Sequence, residues 1–290
     1  MVLHLRSIVQ RLLEIVDLKK DDLIIDIGSN DGTLLKQYPS NTGLELIGID
    51  PSGVKFKKYY PSHIELIPEF FSPENIARKL RGKKVQVITS IAMLYDLEDP
   101  ILFVRQIYDT LAEDGIWVFE QSYLPSMLAT SSYDTICHEH LEYYALHQVK
   151  FMMDEVGFKI LDVELNDVNG GSFKVTVAKS NSKYVPMRSV TECTAREKKQ
   201  QLDTLQAYEA FGLNVGAHRM NLISLINEII QNGKTIFGYG ASTKGNVILQ
   251  YCGLSAKEIP FIAEVNEDKF GSFTPATLIP IISEKQARAM

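Results

Sequence analysis

The chain has 290 residues, of which 45% are hydrophobic and 23% charged, so it has room for one large or two ordinary domains with a sizeable core. Its formal net charge of -6 argues against nucleic acid as the main partner, because proteins that bind phosphate backbones carry a basic footprint. No run of about 18 apolar residues marks a membrane span, and the amphipathic first stretch lacks the pattern of a signal peptide. The cysteines lie far apart without a C-x-x-C pair, which excludes a cysteine-rich zinc module and favours a cytoplasmic location.

The first half of the chain alternates between predicted strands and helices. An amphipathic helix is predicted over residues 4–16, and strands at 23–27, 45–49, 64–67, 85–90 and 116–120. The helical-looking TLLKQY follows the first strand, and PILFVRQIYDTLAEDG is predicted as a helix that ends at Asp114-Gly115. A helix and a closing strand pair are predicted from FMMDEVGFKILDVELND and GSFKVTVAKS. This alternation is typical of a mainly parallel, doubly wound sheet that is complete near residue 180.

The stretch LIIDIGSNDG, residues 23–32, joins a buried strand to a turn that contains Gly28 and Gly32. Glycines at the carboxyl end of a parallel strand let the backbone approach a ligand without a Cβ in the way. The spacing is not the G-x-G-x-x-G of dinucleotide-binding turns, and Asp31 would repel a phosphate. The pattern D-x-G-x-x-x-G that begins at Asp26 instead resembles motif I of S-adenosylmethionine (SAM) methyltransferases, whose cofactor carries a sulfonium and an amino group.

A second acid stands at the next strand end, where the run LELIGID finishes at Asp50. An acid at that position typically accepts hydrogen bonds from the two ribose hydroxyls of the cofactor, although an ordinary turn with a solvated Asp50 is the alternative. The predicted fold is therefore α/β, with the Rossmann-like, seven-stranded sheet of class I methyltransferases. The expected cofactor contacts are Asp26, Gly28, Ser29, Asn30, Gly32, Asp50 and Ser90.

The composition changes after the predicted sheet. Residues 181–200 are polar without a strand pattern, and residues 196–232 are predicted to form one or two long helices. The stretch KTIFGYGASTKGNVILQYCG then repeats the strand–glycine turn–helix pattern, and IPFIAEVN is predicted as another strand. We therefore predict a SAM-binding domain over residues 1–185 and a smaller C-terminal α/β substrate domain over residues 186–290.

The run YDTICHEHLEYYAL contains His138-Glu139-His140. Two histidines two positions apart do not match the H-E-x-x-H spacing of zinc sites, so a metal site is not favoured. Imidazoles satisfied inside a polar core are one alternative. General acid–base chemistry is favoured, because histidine titrates near neutral pH and an adjacent carboxylate can orient or tune it.

Motif I and four further blocks of the chain, in order over residues 23–282, resemble the sugar C-methyltransferase family, whose members are SAM enzymes acting on nucleotide-linked deoxy-keto-sugars. Besides motif I, DTICHEHLEYY is similar to D-T-I-Y-H-E-H-x-x-Y-[FY], and NGGSFKVTVAK to N-G-G-S-x-R-x-x-V. FGYGASTKGNVILQYCG is similar to G-Y-G-A-x-x-K-G-N-x-L-L-x-Y-C-G, and EVNEDKFGSFTPATLIPI to D-x-N-P-x-K-x-G-x-x-x-P-G-T-x-I-P-I.

The resemblance implies methylation of a carbon next to a ketone. A base removes a carbon-bound proton to give an enolate, and the enolate carbon attacks the methyl group of SAM. The resemblance implies His140 as this base, with Glu139 and His138 positioning the sugar or tuning the base. O- or N-methylation of a related sugar or small molecule is the alternative, and a non-catalytic accessory subunit with a SAM fold is a further one.

The second glycine turn offers small residues, backbone N–H groups at a helix start, two hydroxyls and a lysine, which together suit a pyrophosphate. Its Lys-Gly order is not that of a Walker loop. The resemblance implies that it holds the diphosphate of a nucleotide-sugar, and the alternative is a tight turn with an exposed lysine. The expected substrate contacts are Tyr123, Asn169, Gly170, Tyr239, Ser242, Thr243, Lys244 and Asn246.

The chain departs from the family pattern at four points. Cys137 replaces a tyrosine and Ala276 replaces a glycine. The N-terminal zinc-binding module of the family is absent, and the chain stops soon after Pro280-Ile281-Ile282. The C-terminal domain is therefore expected to be shorter, truncated or completed by another chain, and an open sheet edge would favour a homo-oligomer or a companion chain.

Overall fold

The computed structural model describes all 290 residues. The contacts group the chain into two compact units, residues 1–126 with 141–200 and residues 127–140 with 201–290. The boundary predicted after residue 185 differs from this grouping in two respects. The first unit continues to residue 200, and the segment 127–140, which carries the His-Glu-His run, belongs to the second unit.

The first unit is built on one sheet of seven strands in the order β3-β2-β1-β4-β5-β7-β6. Strands β1 to β5 are parallel, whereas β7 runs antiparallel to both β5 and β6. The predicted seven-stranded, Rossmann-like α/β fold is confirmed. The strands are β1 (Leu23–Ile27), β2 (Glu45–Ile49), β3 (Ile64–Ile67), β4 (Val85–Ile91), β5 (Leu111–Ser122), β6 (Phe158–Asn166) and β7 (Ser172–Lys179).

The strand order reverses between β1 and β4, which are neighbours although β2 and β3 come between them in the chain. In open parallel sheets a ligand binds at such a reversal, in the crevice outside the carboxyl ends of the strands. All five residues of β1 are buried, because a parallel strand in the middle of the sheet is covered on both faces. The topology therefore places the end of β1 at the expected ligand site.

Seven helices belong wholly or in part to the first unit. The helix α1 buries Leu5, Ile8, Val9 and Leu12, which the helical period places on one face. The helices are α1 (Val2–Ile15), α2 (Gly53–Phe56), α3 (Pro73–Leu80), α4 (Pro100–Thr110), α5 (Leu124–Thr130), α6 (Leu146–Val156) and α7 (Arg188–Lys199).

Two of the predicted helices are shorter in the structure. TLLKQY forms only a single 3-10 turn, Leu35–Gln37, and Pro39 cannot continue a helix. The helix α4 ends at Thr110 rather than at Gly115, because Leu111 already pairs with Val85 of β4. A Cβ on Gly115 would lie 2.9 Å from the carbonyl oxygen of Val85, so glycine is needed where the entering chain approaches β4.

The helix α7 is tied into the first unit by the buried carboxylate of Glu197. This carboxylate accepts hydrogen bonds from the backbone N–H groups of Leu146 (2.6 Å) and His147 (3.0 Å) and from the hydroxyl of Tyr123 (2.8 Å). The first N–H groups of a helix have no partner within it, and a negative charge at this end is favourable. Glu197 therefore supplies the start of α6 with acceptors from a different helix.

The substitution Glu197→Ala is expected to destabilise the first unit by about 2–4 kcal/mol, because two buried donors and one partly buried donor lose their acceptor. Glu197→Gln, which keeps one oxygen acceptor, is expected to cost less. The measurement is urea unfolding followed by circular dichroism. Glu192→Ala, on the exposed side of α7, is the control and should change the free energy of unfolding by less than about 0.5 kcal/mol. Equal stability of the Glu197→Ala and Glu192→Ala variants would contradict the role assigned to Glu197.

The second unit contains a three-stranded parallel sheet in the order β10-β9-β8. Its apolar core joins Ile226, Leu249, Ile262, Ile279 and Ile281. The predicted strand–glycine turn–helix pattern is present as β8 and α9. No helix in the chain, including the long α8, combines the length and apolarity that a bilayer crossing requires. The elements are α8 (Leu205–Gln231), β8 (Gly238–Tyr239), α9 (Thr243–Cys252), β9 (Ile262–Glu264), β10 (Ile281–Ser283) and α10 (Glu284–Ala287).

Candidate active site

The first unit has a cavity of about 600 Å³ at the carboxyl ends of β1 and β2. It lies where the strand order reverses, as the topology predicts. The loop after β4 and the first turn of α1 complete its wall. Five residues predicted to contact the cofactor line it together, namely Asp26, Gly28, Ser29, Asn30 and Asp50.

The turn after β1 lines this cavity and contains residues whose backbone lies in the left-handed region of φ/ψ space. Gly28 has a φ of +72° and Asn30 a φ of +48°. The N–H of Gly28 donates to the carbonyl of Ile49 at 2.8 Å, which ties the turn to the end of β2. An L side chain at position 28 would be strained, so this glycine is required by the backbone. The turn therefore presents main chain, rather than a side chain, to a ligand.

Asp50 fixes the second wall of the cavity. One of its carboxylate oxygens accepts the N–H of Asn30 at 2.8 Å, and the other accepts the N–H and the hydroxyl of Ser52 at 2.7 and 2.6 Å. The carboxylate is thus oriented by both strand ends. Two carboxylate oxygens offer about four acceptor positions, so one remains for a ligand hydroxyl.

Asp26 forms the floor of the cavity and is buried within β1. Its carboxyl accepts a hydrogen bond from the Thr89 hydroxyl at 2.6 Å. Burial raises the pKa of Asp26 to about 7, the bond from Thr89 opposes this rise, and the charge of Asp50 adds to it. A cation in the cavity would favour the charged form of Asp26 by simple attraction.

Two predicted cofactor residues do not line the cavity. Ser90 is fully buried, and its hydroxyl accepts the indole N–H of Trp117 at 3.0 Å, so it serves the core. Gly32 packs against Tyr60, where an added Cβ would lie 3.0 Å from the ring. The Tyr60 hydroxyl in turn donates to Ser29 at 2.8 Å. Gly32 therefore shapes the turn from behind.

The second unit has its own cavity of about 540 Å³, between the His-Glu-His segment and one face of α9. His138 and Cys137 line one side, and the predicted substrate residues Thr243 and Asn246 line the other. The side-chain oxygen of Asn246 is buried without a hydrogen-bond partner. Since a buried acceptor without a donor is unfavourable, this oxygen is suited to a donor group of a ligand. The remaining lining residues are Ile136, Val247, Gln250, Tyr251 and Pro275.

The His-Glu-His run lies on a tight turn in which the N–H of His140 donates to the carbonyl of Cys137 at 3.2 Å. His138 and Glu139 are exposed, and His140 is half-buried. Only His138 of the three lines the second cavity. The segment is anchored on the second unit by Tyr133, whose ring lies 5.1 Å from that of Tyr251.

The second glycine turn is braced by two side chains that the sequence reasoning missed, Glu264 and Lys269. The carboxylate of Glu264 accepts the N–H of Ala241 at 2.9 Å, and the ammonium of Lys269 donates to the carbonyl of Ala241 at 2.7 Å. Backbone N–H bonds from Asn266, Ala241 and Val265 lower the pKa of Glu264 to about 2. Glu264 could have been found from the sequence, because it is an acid at the end of a strand that follows a strand–glycine turn–helix unit.

The other predicted substrate residues line neither cavity. Tyr123 is buried with its hydroxyl bound to Glu197, so it supports the fold of the first unit. Asn169 and Gly170 lie on the 3-10 turn Val168–Gly170 between β6 and β7. The remaining three surround the glycine turn: Ser242 caps α9 by accepting the N–H of Gly245 at 3.0 Å, Tyr239 is exposed on β8, and Lys244 lies in the first turn of α9.

Comparison with known families identifies the class. Residues 3–163 match the family model of the methyltransferase domain. The seven-stranded sheet, its strand order and the acid-lined cavity at the reversal agree with this match. The protein is a SAM-dependent methyltransferase.

The second half of the chain identifies the family within the methyltransferases. Residues 167–290 match the C-methyltransferase C-terminal domain. The chain is 30% identical over 293 aligned residues to C-methyltransferase NovU of Streptomyces niveus, covering 98% of this chain and 68% of that protein. The chain belongs to the C-methyltransferase family.

Solved structures resemble the chain more distantly. Magnesium protoporphyrin IX methyltransferase from Synechocystis PCC 6803, with bound S-adenosylhomocysteine (SAH), has 12% identity and a TM-score of 0.47, covering 62% of this chain and 83% of its own. LepI in complex with SAM has 17% identity and a TM-score of 0.48, covering 59% of this chain and 46% of its own. At these values the likeness carries no argument about activity.

The raised pKa of Asp26 leads to a prediction about stability and pH. Between its ordinary value of 3.8 and about 7 the folded protein binds more protons than the unfolded one, so its stability falls as pH rises through this window. Asp26→Asn removes the charge and keeps an acceptor for Thr89. The stability advantage of the variant over the wild type is therefore expected to grow from pH 4 to pH 7 and to reach about 2–4 kcal/mol at pH 8.

The measurement is denaturant unfolding of both proteins without cofactor at several pH values. Thr89→Val, which removes the hydroxyl donor, is the control and should raise the apparent pKa further. An advantage of the Asp26→Asn variant that shrinks as pH rises would show that the folded protein favours the charged carboxylate.

Proposed function

We propose that the protein transfers the methyl group of SAM to a carbon of a nucleotide-linked keto-deoxysugar. The observation that carries the proposal is the second cavity, where His138 of the His-Glu-His turn faces Thr243 and Asn246 of α9. A histidine opposite hydroxyl and amide groups is suited to a polar substrate whose chemistry needs proton transfer. The four sequence blocks that resemble sugar C-methyltransferases support the same substrate class.

The charge of the cavity in the first unit suits SAM. Bound SAM supplies an electrophilic methyl group on a positively charged sulfur. The carboxylates of Asp26, Asp31 and Asp50 surround a cavity that is also lined by the Gly28 turn. We propose that Asp50 accepts a ribose hydroxyl at its one remaining acceptor position, since its carboxylate is held in place by Asn30 and Ser52. Asp26 would then neutralise the positive charge of the cofactor from below.

The protein's own residues must generate the carbon nucleophile. We propose that His140 removes the proton next to the ketone as a neutral imidazole, with Glu139 stabilising the imidazolium that forms. His138, which lines the second cavity, is proposed to orient the sugar. The resulting enolate carbon would take the methyl group that SAM supplies, with the S–CH3 bond breaking as the C–C bond forms and SAH released, and proximity would supply much of the remaining rate.

The second unit is proposed to hold the nucleotide part of the substrate. The buried oxygen of Asn246 would accept a donor of the sugar or base, and the apolar side of the cavity would cover a ring. Because the N–H of Ala241 already donates to Glu264, it is not available to an anion. Recognition of the diphosphate is therefore assigned mainly to Lys244, Ser242 and Thr243 at the start of α9, with Tyr239 beside them.

The proposed role of Asp50 is tested by SAH binding. Asp50→Ala is expected to weaken SAH affinity about tenfold to a hundredfold, as measured by calorimetry, since a charged hydrogen bond to a ribose hydroxyl is lost. Ser52→Ala removes one donor to the carboxylate but keeps the carboxylate itself, and is expected to change affinity by less than about threefold. An Asp50→Ala variant that binds as tightly as the wild type would rule out the ribose contact.

The proposed chemistry is tested by deuterium exchange. The protein is incubated in deuterated water with nucleotide-linked keto-deoxysugars, with and without SAM, and the products are followed by mass spectrometry. The wild type is expected to exchange the proton next to the ketone without SAM and to methylate that carbon with SAM. His140→Asn should slow exchange by about 10²–10⁴-fold, as expected for loss of a general base. His63→Asn, an exposed histidine of the first unit, is the control and should exchange at the wild-type rate.

The alternatives give different results in the same experiment. If Glu139→Gln stops exchange and His140→Asn does not, the base is Glu139. Methylation without exchange at any carbon would indicate O- or N-methylation instead. If no keto-deoxysugar nucleotide is exchanged or methylated, the proposed substrate class is wrong.

A further inference from the structure

The first turn of α1 is part of the wall of the cofactor cavity. Met1, Val2 and Leu5 line that cavity together with the residues of motif I. Further along the helix, Ile8 and Leu12 are fully buried, so hydrophobic packing fixes that part. In the first turn, by contrast, Met1 is 68% exposed and Val2 51% exposed, and no side chain caps the helix start. The wall of the cavity therefore includes a helix turn that packing alone holds weakly.

A hydrogen bond from His4 fastens this turn to the sheet. The Nε2 atom of His4 lies 2.7 Å from a carboxylate oxygen of Glu120, near the carboxyl end of β5. The side chain of Glu120 is only 3% exposed, and that of His4 is 21% exposed. The other oxygen of Glu120 accepts the side-chain N–H of Asn166 at 2.9 Å. The carboxylate is thus held in one orientation, which presents one oxygen to the imidazole.

Glu120 also holds a second part of the same wall. Its backbone carbonyl accepts the N–H of Ala92 at 2.7 Å. Ala92 lines the cavity in the loop after β4 and has a φ of +56°, a conformation that a non-glycine residue adopts only where its surroundings impose it. One residue at the end of β5 therefore connects the loop after β4 and the first turn of α1, and both of these line the cavity.

We propose that His4 and Glu120 are positioning residues for the cofactor, and that their hydrogen bond holds the first turn of α1 closed over the cavity. Neither side chain lines the cavity, so both act through the residues that do. Without the bond the turn would be open for most of the time. Apparent affinity falls in proportion to the closed fraction, so a closed fraction of about one tenth gives about tenfold weaker binding.

The experiment measures SAH binding by calorimetry on the full chain. His4→Ala is expected to weaken binding about tenfold, which corresponds to about 1.4 kcal/mol. His4→Gln, whose amide N–H can reach the same carboxylate oxygen, should bind within about threefold of the wild type. Gln10→Ala, an exposed residue of the same helix, is the matched control and should leave affinity unchanged.

A double-mutant cycle separates positioning from general damage. Glu120→Ala is expected to weaken SAH binding as His4→Ala does, and the double variant should be no weaker than either single one, since both remove the same bond. Hydrogen exchange gives a second readout. SAH should slow exchange in the peptide of residues 1–9 in the wild type and in His4→Gln, but much less in His4→Ala.

The proposal is overturned by any of three results. These are unchanged SAH affinity in His4→Ala, binding by His4→Gln as weak as that of His4→Ala, or losses from His4→Ala and Glu120→Ala that add in full. If Glu120→Ala does not fold, the comparison of His4→Ala with His4→Gln decides the question alone. A loss of affinity in His4→Ala with the melting temperature of the unliganded protein preserved supports positioning.

Discussion

The main constraint on the first unit is that it must stabilise two carboxylates, Asp26 and Asp50, that are buried near the ends of adjacent parallel strands. Taking a charged carboxyl out of water is costly unless hydrogen bonds or an opposite charge compensate. The carboxylate of Asp50 accepts three hydrogen bonds from two loops, which compensate for its burial. The carboxyl of Asp26 accepts only the hydroxyl of Thr89 among side-chain donors, and burial raises its pKa to about 7. If SAM binds in this cavity as proposed, its positive charge would supply the opposite charge that the residues around Asp26 do not. The burial that raises the pKa of Asp26 in the unliganded protein would then also favour a cation beside it.

The same constraint explains why glycines and donors surround the cavity. Main-chain N–H groups can stabilise a carboxylate only where the backbone comes close to it. The turn after β1 comes close to Asp50 at Asn30, and both Gly28 and Asn30 of this turn have a positive φ. In the second unit Glu264 is stabilised in the same way, by N–H groups of the second glycine turn and of its own strand end. Both units thus use an acid at the end of a second strand to fix the turn that follows the first strand. In the first unit the acid also faces the cavity, whereas in the second its acceptors are already used within the protein.

The features that could be predicted from the sequence are those that depend on a local pattern of apolar and polar residues. The strands at 23–27 and 45–49 end where the apolar runs end, because a parallel strand covered on both faces is a mostly apolar segment. The same pattern located the residues on β1, β2 and their loops that line the cavity of the first unit. The prediction of secondary structure from the sequence was wrong where a long-range contact overrides a local preference. Leu111, for example, pairs with Val85 instead of extending a helix. Ser90 and Tyr123 have suitable chemistry for a ligand, but Trp117 and Glu197, distant in sequence, engage their hydroxyls.

The grouping of residues 127–140 with the second unit has a consequence for substrate choice. Because the His-Glu-His turn and the face of α9 belong to one compact unit, the shape of the cavity between them is set by packing within that unit, through contacts such as Tyr133 against Tyr251. Cys137 lines this cavity at the position where the family that the sequence resembles has tyrosine. A thiol removes a ring and a strong hydrogen-bonding hydroxyl, so the cavity gains room and loses a polar partner. The polar groups left to a ligand are then His138 beside Cys137 and, across the cavity on α9, Thr243, Gln250 and Asn246, whose buried oxygen has no partner within the protein. Discrimination between substrates should therefore depend more on α9 than on the position that the family fills with tyrosine.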